Sequence, residues 1–308
     1  PHWVLLTSPK YYSMNIRETL RGTGVAIVTP FTKEHQVDLN ALGRVIDLII
    51  ENKVEYIVTL GTTGESPVLS SAEKIDIINF TYDHVADRVP VVVGIGGNDS
   101  HTVVRELETF PLEKATAVLS AGPYYNKPSQ EGLFQHYRLL ALASPKPMIL
   151  YNVPGRTGRN ISASTTIRLA HEIENVVGIK EASGDMQQCI QILRDRPENF
   201  LVVSGDDALT LPQIACGMDG VISVVANSFP NKFSEMVRFC LQHDFISAKK
   251  LNDEFLEVYD LMFSENNPAG VKAFLHEMKM IENELRLPLV ALSGELHQRV
   301  KKLLDQWG

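Results

Sequence analysis

A lysine, two tyrosines, a pair of threonines and an arginine stand at or just beyond the ends of short apolar runs in this 308-residue chain, and together they suit chemistry on a carbonyl carbon. Lys180 lies in Val176-Val177-Gly178-Ile179-Lys180-Glu181-Ala182-Ser183, where it ends a β-branched run that reads as a buried strand. An ammonium in that place loses water, which disfavours its charged form and leaves some of the amine neutral and nucleophilic near neutrality. A neutral lysine amine can attack a carbonyl and form an imine. A salt bridge to Glu181, or a side chain snorkelling to the surface, would use the same lysine, so its neighbours must decide.

Tyr151 follows Met148-Ile149-Leu150 and is placed to turn a phenol inward as proton donor or acceptor. A core tyrosine with a structural hydroxyl is the alternative, and Lys180 one strand away favours the first. Gly61-Thr62-Thr63-Gly64-Glu65-Ser66 offers small residues and free backbone N–H groups near a helix start, which suits a carboxylate or phosphate. A tight turn with a helix cap would use the same residues. Arg156 lies on a Gly-flanked loop, where a planar guanidinium grips a carboxylate in bidentate fashion or joins a surface ion pair. Asp206 and Asp207 look like paired carboxylates, but they begin the next helix and are expected to cap it.

Nine histidines are present; His84, His136 and His171 fall on expected helices and none of the nine ends a strand, which disfavours a metal site. There is no Gly-x-Ser-x-Gly elbow, and Gly94-Ile95-Gly96-Gly97 lacks the dinucleotide spacing. The expected chemistry is therefore an imine on Lys180, with neither a metal nor a bound cofactor.

Elements that could position these residues alternate regularly. Strands are expected at Val25 to Pro30, Tyr56 to Gly61, Val91 to Gly96, Ala117 to Gly122, Met148 to Val153, Val176 to Glu181, Leu201 to Gly205 and Val221 to Val225. Helical patterns fall near 39–52, 71–86, 99–109, 130–144, 162–172, 186–195, 208–217 and 231–242. Eight strand-helix units in succession suit a (β/α)8 TIM barrel, whose closure removes both sheet edges. Residues 17–243 are assigned to that barrel, which carries the active site. Beyond it, Phe255, Val258, Leu261, Met262, Val271, Phe274, Leu275 and Met278 recur at helical spacing, so 244–308 is expected to be a helical appendage.

A formal charge of −8, a pI near 5.6 and the absence of basic runs argue against nucleic-acid binding. Cys189, Cys216 and Cys240 are odd in number and lack metal spacing, which suits a reducing cytosol. No apolar stretch is long enough to span a bilayer, so a soluble cytoplasmic protein is expected. Residues 1–16 read as an N-terminal extension of which the first 13 need not be native, and Trp3-Val4-Leu5-Leu6 is too short for a signal peptide.

In this order, Gly61-Thr62-Thr63-Gly64-Glu65-Ser66, Pro123-Tyr124-Tyr125-Asn126, Leu150-Tyr151-Asn152-Val153-Pro154, Gly178-Ile179-Lys180-Glu181-Ala182, Ser204-Gly205-Asp206-Asp207, Asn267-Pro268 and Val271-Lys272 form a specific set. From about Gly22 to its end the chain resembles the dihydrodipicolinate synthase family, among the pyruvate-dependent Schiff-base aldolases that include N-acetylneuraminate lyase. The resemblance implies that Lys180 condenses with pyruvate and that the resulting enamine attacks the aldehyde of aspartate 4-semialdehyde, a committed step toward diaminopimelate and lysine. It implies a proton relay of Thr63, Tyr151 and Tyr125, with Tyr125 reaching in from a partner subunit of a homotetramer. Thr62, Thr63 and the backbone at Gly205 and Ile222 would line the pyruvate pocket, and Arg156 would help bind the second carboxylate.

Asn152-Val153-Pro154-Gly155-Arg156-Thr157-Gly158 matches the synthases, whereas sialic-acid lyases lack this arginine; a lyase acting on a sugar acid is the alternative. Pyridoxal phosphate on Lys180, with its phosphate at Thr62 to Ser66, is disfavoured because no clear partner for the pyridine nitrogen is present. A barrel retained only for binding is disfavoured by the joint presence of Lys180, Tyr151, Thr63 and Tyr125. Lysine-inhibited relatives carry His where this chain has Ser71 and Lys74, and Glu where it has Thr102, although Asn98 and Tyr124 agree with their lysine pocket. Weak or absent lysine inhibition is expected.

Overall fold

Eight short parallel strands close in sequence order into a barrel, with at least one helix between each pair and a helical C-terminal region. The computed structural model describes residues 15–307, so the expectations for residues 1–14 lie outside the described residues. The strands are β1 (Gly22–Ala26), β2 (Tyr56–Thr59), β3 (Val91–Gly94), β4 (Ala117–Ala121), β5 (Met148–Asn152), β6 (Val176–Glu181), β7 (Leu201–Ser204) and β8 (Gly220–Ser223). Closure comes from β1 pairing with both β2 and β8, with Gly24 opposite Tyr56 on one side and Ile222 on the other. This is the expected (β/α)8 architecture.

Side-chain alternation divides the barrel's apolar residues into two populations. Tyr56, Val58, Val92, Leu119, Ile149, Tyr151, Leu201, Val203 and Ile222 form an inner cluster. Their strand neighbours Ile57, Val91, Val93, Val118, Met148, Leu150, Ile179, Val202 and Val221 join the larger core beneath the helices. Because Ile179 belongs to the outer core, Lys180 turns into the barrel and Glu181 turns out toward the helices.

The first strand begins and ends earlier than its hydropathy suggests. Ile27 still bonds Val58 O through its backbone N–H at 3.0 Å, but the Val28 N–H is taken by Asn227 Oδ1 at 3.1 Å. A side chain therefore replaces the ladder from residue 28 onward. The last strand stops at Ser223 for a similar reason: the Val224 and Val225 N–H groups donate to the Asp207 carboxylate. Asp206 does cap the following turn by accepting from Ala208 N, whereas Asp207 is fully buried and fastens the end of β8 instead of capping its own helix.

Ile16 and Leu20 join the inner cluster. Arg17 and Arg196 both pair with Asp219 at the same end of the barrel. The C-terminal region forms helices Phe245–Glu254, Leu256–Phe263, Ala269–Glu277 and Gly294–Trp307. Phe255, Val258, Leu261, Met262, Val271, Phe274 and Leu275 are buried in the main core as their spacing suggests, and Met278 is half-buried. Each fully buried Phe or Leu contributes roughly 1.5–3 kcal/mol, so this region is held to the barrel by its apolar face. No described helix is long and apolar enough to cross a membrane.

Candidate active site

Lys180 and Tyr151 are register partners on β6 and β5, and the Lys180 ammonium nitrogen lies 4.4 Å from the centroid of the Tyr151 ring. Both are buried, at 5% and 7% exposure. Glu181 does not neutralise the lysine. Its buried carboxylate faces outward and accepts from Asn152 Nδ2 at 3.0 and 3.2 Å, Ser183 N at 2.7 Å and Gln188 Nε2 at 3.0 Å. Among the described residues Lys180 forms no ion pair, which removes the salt-bridge explanation for its burial.

Gly205 follows β7, and its N–H donates to the Glu181 carbonyl oxygen at 2.7 Å. A Cβ built on it would lie 2.9 Å from Lys180 Cε, so the lysine stem fills the space a side chain would need. Ile222 lies on β8 in the inner cluster. Gly205 therefore abuts the Lys180 stem, and Ile222 faces the same barrel interior.

Thr62 and Thr63 open the turn after β2, with Thr62 half-buried and Thr63 fully buried. Thr29 Oγ1 donates to Gly64 O at 2.7 Å, and Glu65, at φ +53°, turns inward to pair with Lys272 Nζ at 2.5 Å. Both members of that pair are wholly buried. Glu65 Oε2 also accepts from Arg286 N at 3.2 Å, and Lys272 Nζ donates to Glu284 O at 2.9 Å. Burial pulls the Lys272 ammonium down to about 8, against the opposing pull of Glu65. The C-terminal region thus grips the threonine turn from behind.

Arg156 is exposed in the helical turn Pro154–Thr157 after β5, and its Nη2 donates to Asn266 Oδ1 at 2.8 Å and to Asn267 O at 3.3 Å. The loop beneath it is fixed by Asn152, Asn160 and Gln188: Asn152 Nδ2 donates to Asn160 Oδ1 at 2.7 Å, and Asn160 Nδ2 to Gln188 Oε1 at 2.8 Å. Tyr125 is different. It is 88% exposed at φ +71° after β4, with its ring turned to solvent. Lys180, Tyr151 and Ile222 face the barrel interior, Gly205 abuts the Lys180 stem, Thr63 Oγ1 accepts from Asn267 Nδ2 at 2.9 Å while Arg156 bonds Asn266 and the Asn267 carbonyl, and Tyr125 stands apart from these six.

A model of the dihydrodipicolinate synthetase family matches residues 19–307. The chain belongs to this family. It is 47% identical over 287 residues to the 4-hydroxy-tetrahydrodipicolinate synthase of Parabacteroides distasonis, covering 93% of this chain and 97% of that one. The crystal structure of dihydrodipicolinate synthase from Aquifex aeolicus is 38% identical with a TM-score of 0.90, covering 93% of this chain and 98% of that one. The chloride-inhibited dihydrodipicolinate synthase from Acinetobacter baumannii complexed with pyruvate is 39% identical with a TM-score of 0.90, covering 93% of this chain and 98% of that one.

Asn266, Asn267, Glu65 and Lys272 have no role that sequence pattern alone assigns. Asn267-Pro268 and Val271-Lys272 stood out as motif pieces, but their partners lie about two hundred residues away on the barrel. Periodicity reports which face a residue takes and carries no information about such distant polar pairing. Among the described residues no three His, Cys, Asp or Glu side chains are grouped so that they could hold a metal ion.

Proposed function

We propose that the protein condenses pyruvate with L-aspartate 4-semialdehyde through an imine on Lys180, the reaction of a 4-hydroxy-tetrahydrodipicolinate synthase. The observation that carries this reading is the inward Lys180 amine, buried without a counter-charge, lying over the Tyr151 ring in space that Gly205 leaves open. The amine adds to the pyruvate ketone carbon and water leaves, giving the imine. Loss of a methyl proton turns the imine into an enamine, whose carbon bonds to the aldehyde carbon of the second substrate while that oxygen takes up a proton. The amino group of the second substrate then attacks the imine carbon, closes the ring and releases Lys180.

Each step moves a proton, and hydroxyl groups move protons without placing another fixed charge beside the imine. Tyr151 and Thr63 supply two of the hydroxyls, and a partner subunit's Tyr125 supplies the third. Thr62, Thr63, Gly205 and Ile222 hold pyruvate, and Arg156 pairs with the carboxylate of the semialdehyde. The imine supplies the electron sink, so the reading requires no metal or cofactor. The pyruvate complex of the Acinetobacter relative supports the first substrate, and the family supports the second. A homotetramer in the cytoplasm completes the proposal.

Borohydride reduction in the presence of pyruvate, followed by peptide mass mapping, tests the central bond. A pyruvate-dependent adduct on the peptide containing Lys180 is expected. An unmodified Lys180 in protein that is folded and saturated with pyruvate would reject the mechanism.

A further inference from the structure

Strands β5 and β6 change register part-way along their ladder. Met148 stands opposite Val176 but Ile149 opposite Gly178, and only beyond that shift do Tyr151 and Asn152 face Lys180 and Glu181. A slip of one residue in a strand pair turns every side chain to the opposite face, so the Tyr151 ring stays over the Lys180 amine only if the far end of the ladder is pinned. One backbone bond does part of this, from the Ala182 N–H to Asn152 O at 2.9 Å. Side chains do the rest. Asn152 Nδ2 donates to Glu181 Oε1 at 3.2 Å and to Oε2 at 3.0 Å, while Asn152 Oδ1 accepts from the Ile161 N–H at 2.9 Å. Both residues are buried. The other partners of the carboxylate, the Ser183 N–H and Gln188 Nε2, are uncharged donors as well. A buried carboxylate held without a cation is a costly way to stabilise a fold, and apolar side chains of similar volume would serve that end as well. What this carboxylate adds is a fixed rung between two strands.

From this arrangement we propose that Asn152 and Glu181 are positioning residues, which pin β5 to β6 on the rung beyond Tyr151 and Lys180 and so hold the phenol against the imine-forming amine. The inference rests on the imine reading above and adds two residues that lie outside the barrel interior. The direction of their bond is fixed: the Ile161 N–H occupies the Asn152 oxygen, so the Asn152 amide must point at Glu181. Asn152→Asp therefore sets carboxylate against carboxylate, and Glu181→Gln sets a second amide donor against Asn152 Nδ2. Together the two changes cancel. In the double variant Asn152→Asp, Glu181→Gln the carboxylate at 152 still accepts from the Ile161 N–H and now also accepts from the amide at 181. The neighbouring carboxamides can turn over to match, since Asn160 Oδ1 accepts from Asn152 Nδ2 at 2.7 Å and Asn160 Nδ2 donates to Gln188 Oε1 at 2.8 Å.

The test reads proton transfer, imine formation and stability separately. Enamine formation exchanges the methyl hydrogens of pyruvate with solvent, so NMR in deuterium oxide without the second substrate follows proton transfer at the site. Borohydride trapping at saturating pyruvate follows the imine, and denaturant unfolding follows stability. Each single variant is expected to slow exchange by about tenfold or more at saturating pyruvate, while trapping on Lys180 still runs to completion. The double variant is expected to recover exchange to within about threefold of wild type, because the rung is restored with its polarity reversed.

Folded single variants that exchange within about twofold of wild type would overturn the proposal, whatever stability they lose. A double variant no faster than the slower single variant would overturn it too, since the two residues would then not act through their mutual bond. If one single variant does not fold, the other is compared with the double variant and decides by the same criteria. If neither folds, the bond is kept for folding alone and the positioning role fails. Wild-type protein that neither traps nor exchanges pyruvate would remove the imine reading itself. Normal wild-type chemistry with indifferent variants removes only the present inference.

Discussion

The methylene stem of Lys180 occupies the volume in which a side chain at Gly205 would have to sit. A Cβ there would lie 2.9 Å from Lys180 Cε, 3.2 Å from Lys180 Cγ and 2.6 Å from Ala182 Cβ. The lysine stem can give way, but Ala182 is tied to strand β6 and has no far end to move. Gly205→Ala is therefore expected to shift the amine and cost about 1–3 kcal/mol of stability by overpacking. Pyruvate trapping at Lys180 should fall at least about tenfold, since a misplaced nucleophile loses its approach geometry. Gly294→Ala is the control, because a Cβ there meets nothing within 4 Å. Equal trapping by the two variants would show that Gly205 is not part of the pocket.

Tyr125 bears on the assembly. Tyr125 is 88% exposed, whereas Tyr151 is buried beside the amine. A relay that uses both needs a second chain to bring its own Tyr125 over the first. Tyr125→Phe and Lys180→Ala should each be nearly inactive alone. Mixed under conditions that exchange subunits, they should regain activity, because a hybrid contains sites with both Lys180 and the partner's Tyr125. Activity that remains the simple sum of the two would place Tyr125 outside the site.

Much of the barrel can be read from sequence because its strands are buried on both faces and appear as unbroken Val, Ile and Leu runs. Strand β6 and helix Met186–Asp195 have the bounds expected of them, and Asp185 caps that helix by accepting from Gln188 N. The strand-end rule then brings Lys180, Tyr151, Thr63, Gly205 and Arg156 forward without coordinates. Side chains that substitute for backbone partners remain illegible. Nothing in the Val25 to Pro30 run announces that Asn227 takes the Val28 N–H and ends the ladder. Asp206 and Asp207 are adjacent and chemically identical, yet one caps a turn and the other, buried, fastens β8. The Glu65–Lys272 and Thr63–Asn267 contacts join residues more than two hundred positions apart. Only the closed fold reveals that the C-terminal region supports the turn after β2.

Lys74 joins helices Ser71–Val85 and Ser100–Thr109 by an ion pair that disfavours a cationic ligand beside it. Its ammonium pairs with Glu106 Oε1 at 3.1 Å, with both side chains largely buried. Thr102, where lysine-inhibited relatives carry a glutamate, bonds Asp99 and accepts from Arg105 Nη2 at 2.9 Å. A free lysine would meet the Lys74 ammonium, with Arg105 close to Thr102, and find Glu106 already paired. Millimolar L-lysine is expected to leave the steady-state rate essentially unchanged. Half-maximal inhibition at low lysine concentration would overturn this expectation.

Asp207 gives the protein a pH signature of definite sign. Burial, with a smaller push from Asp206, raises its carboxyl to about 6, although Ser223 Oγ donates to it at 2.5 Å and Val224 N at 3.0 Å. An unfolded aspartate titrates near 3.8. Between those values the folded chain binds more protons than the unfolded chain, so the Asp207 contribution to stability falls as pH rises from about 4 to 6, by an amount on the order of 2 kcal/mol. His136 has the opposite sign: burial lowers it to about 4 from 6.5, so the unfolded chain binds the extra proton and stability rises with pH across nearly the same window. The two slopes oppose each other in the wild type. Asn at position 207 can still present an oxygen to the Val224 N–H and an amide to Ser223 Oγ, which itself accepts from Ala226 N at 2.9 Å. Asp207→Asn should therefore fold and should gain stability relative to wild type as pH climbs from 4 to 6. Denaturant unfolding of both proteins across that range measures the difference directly. A stability difference independent of pH would mean that the Asp207 carboxyl is already ionised throughout.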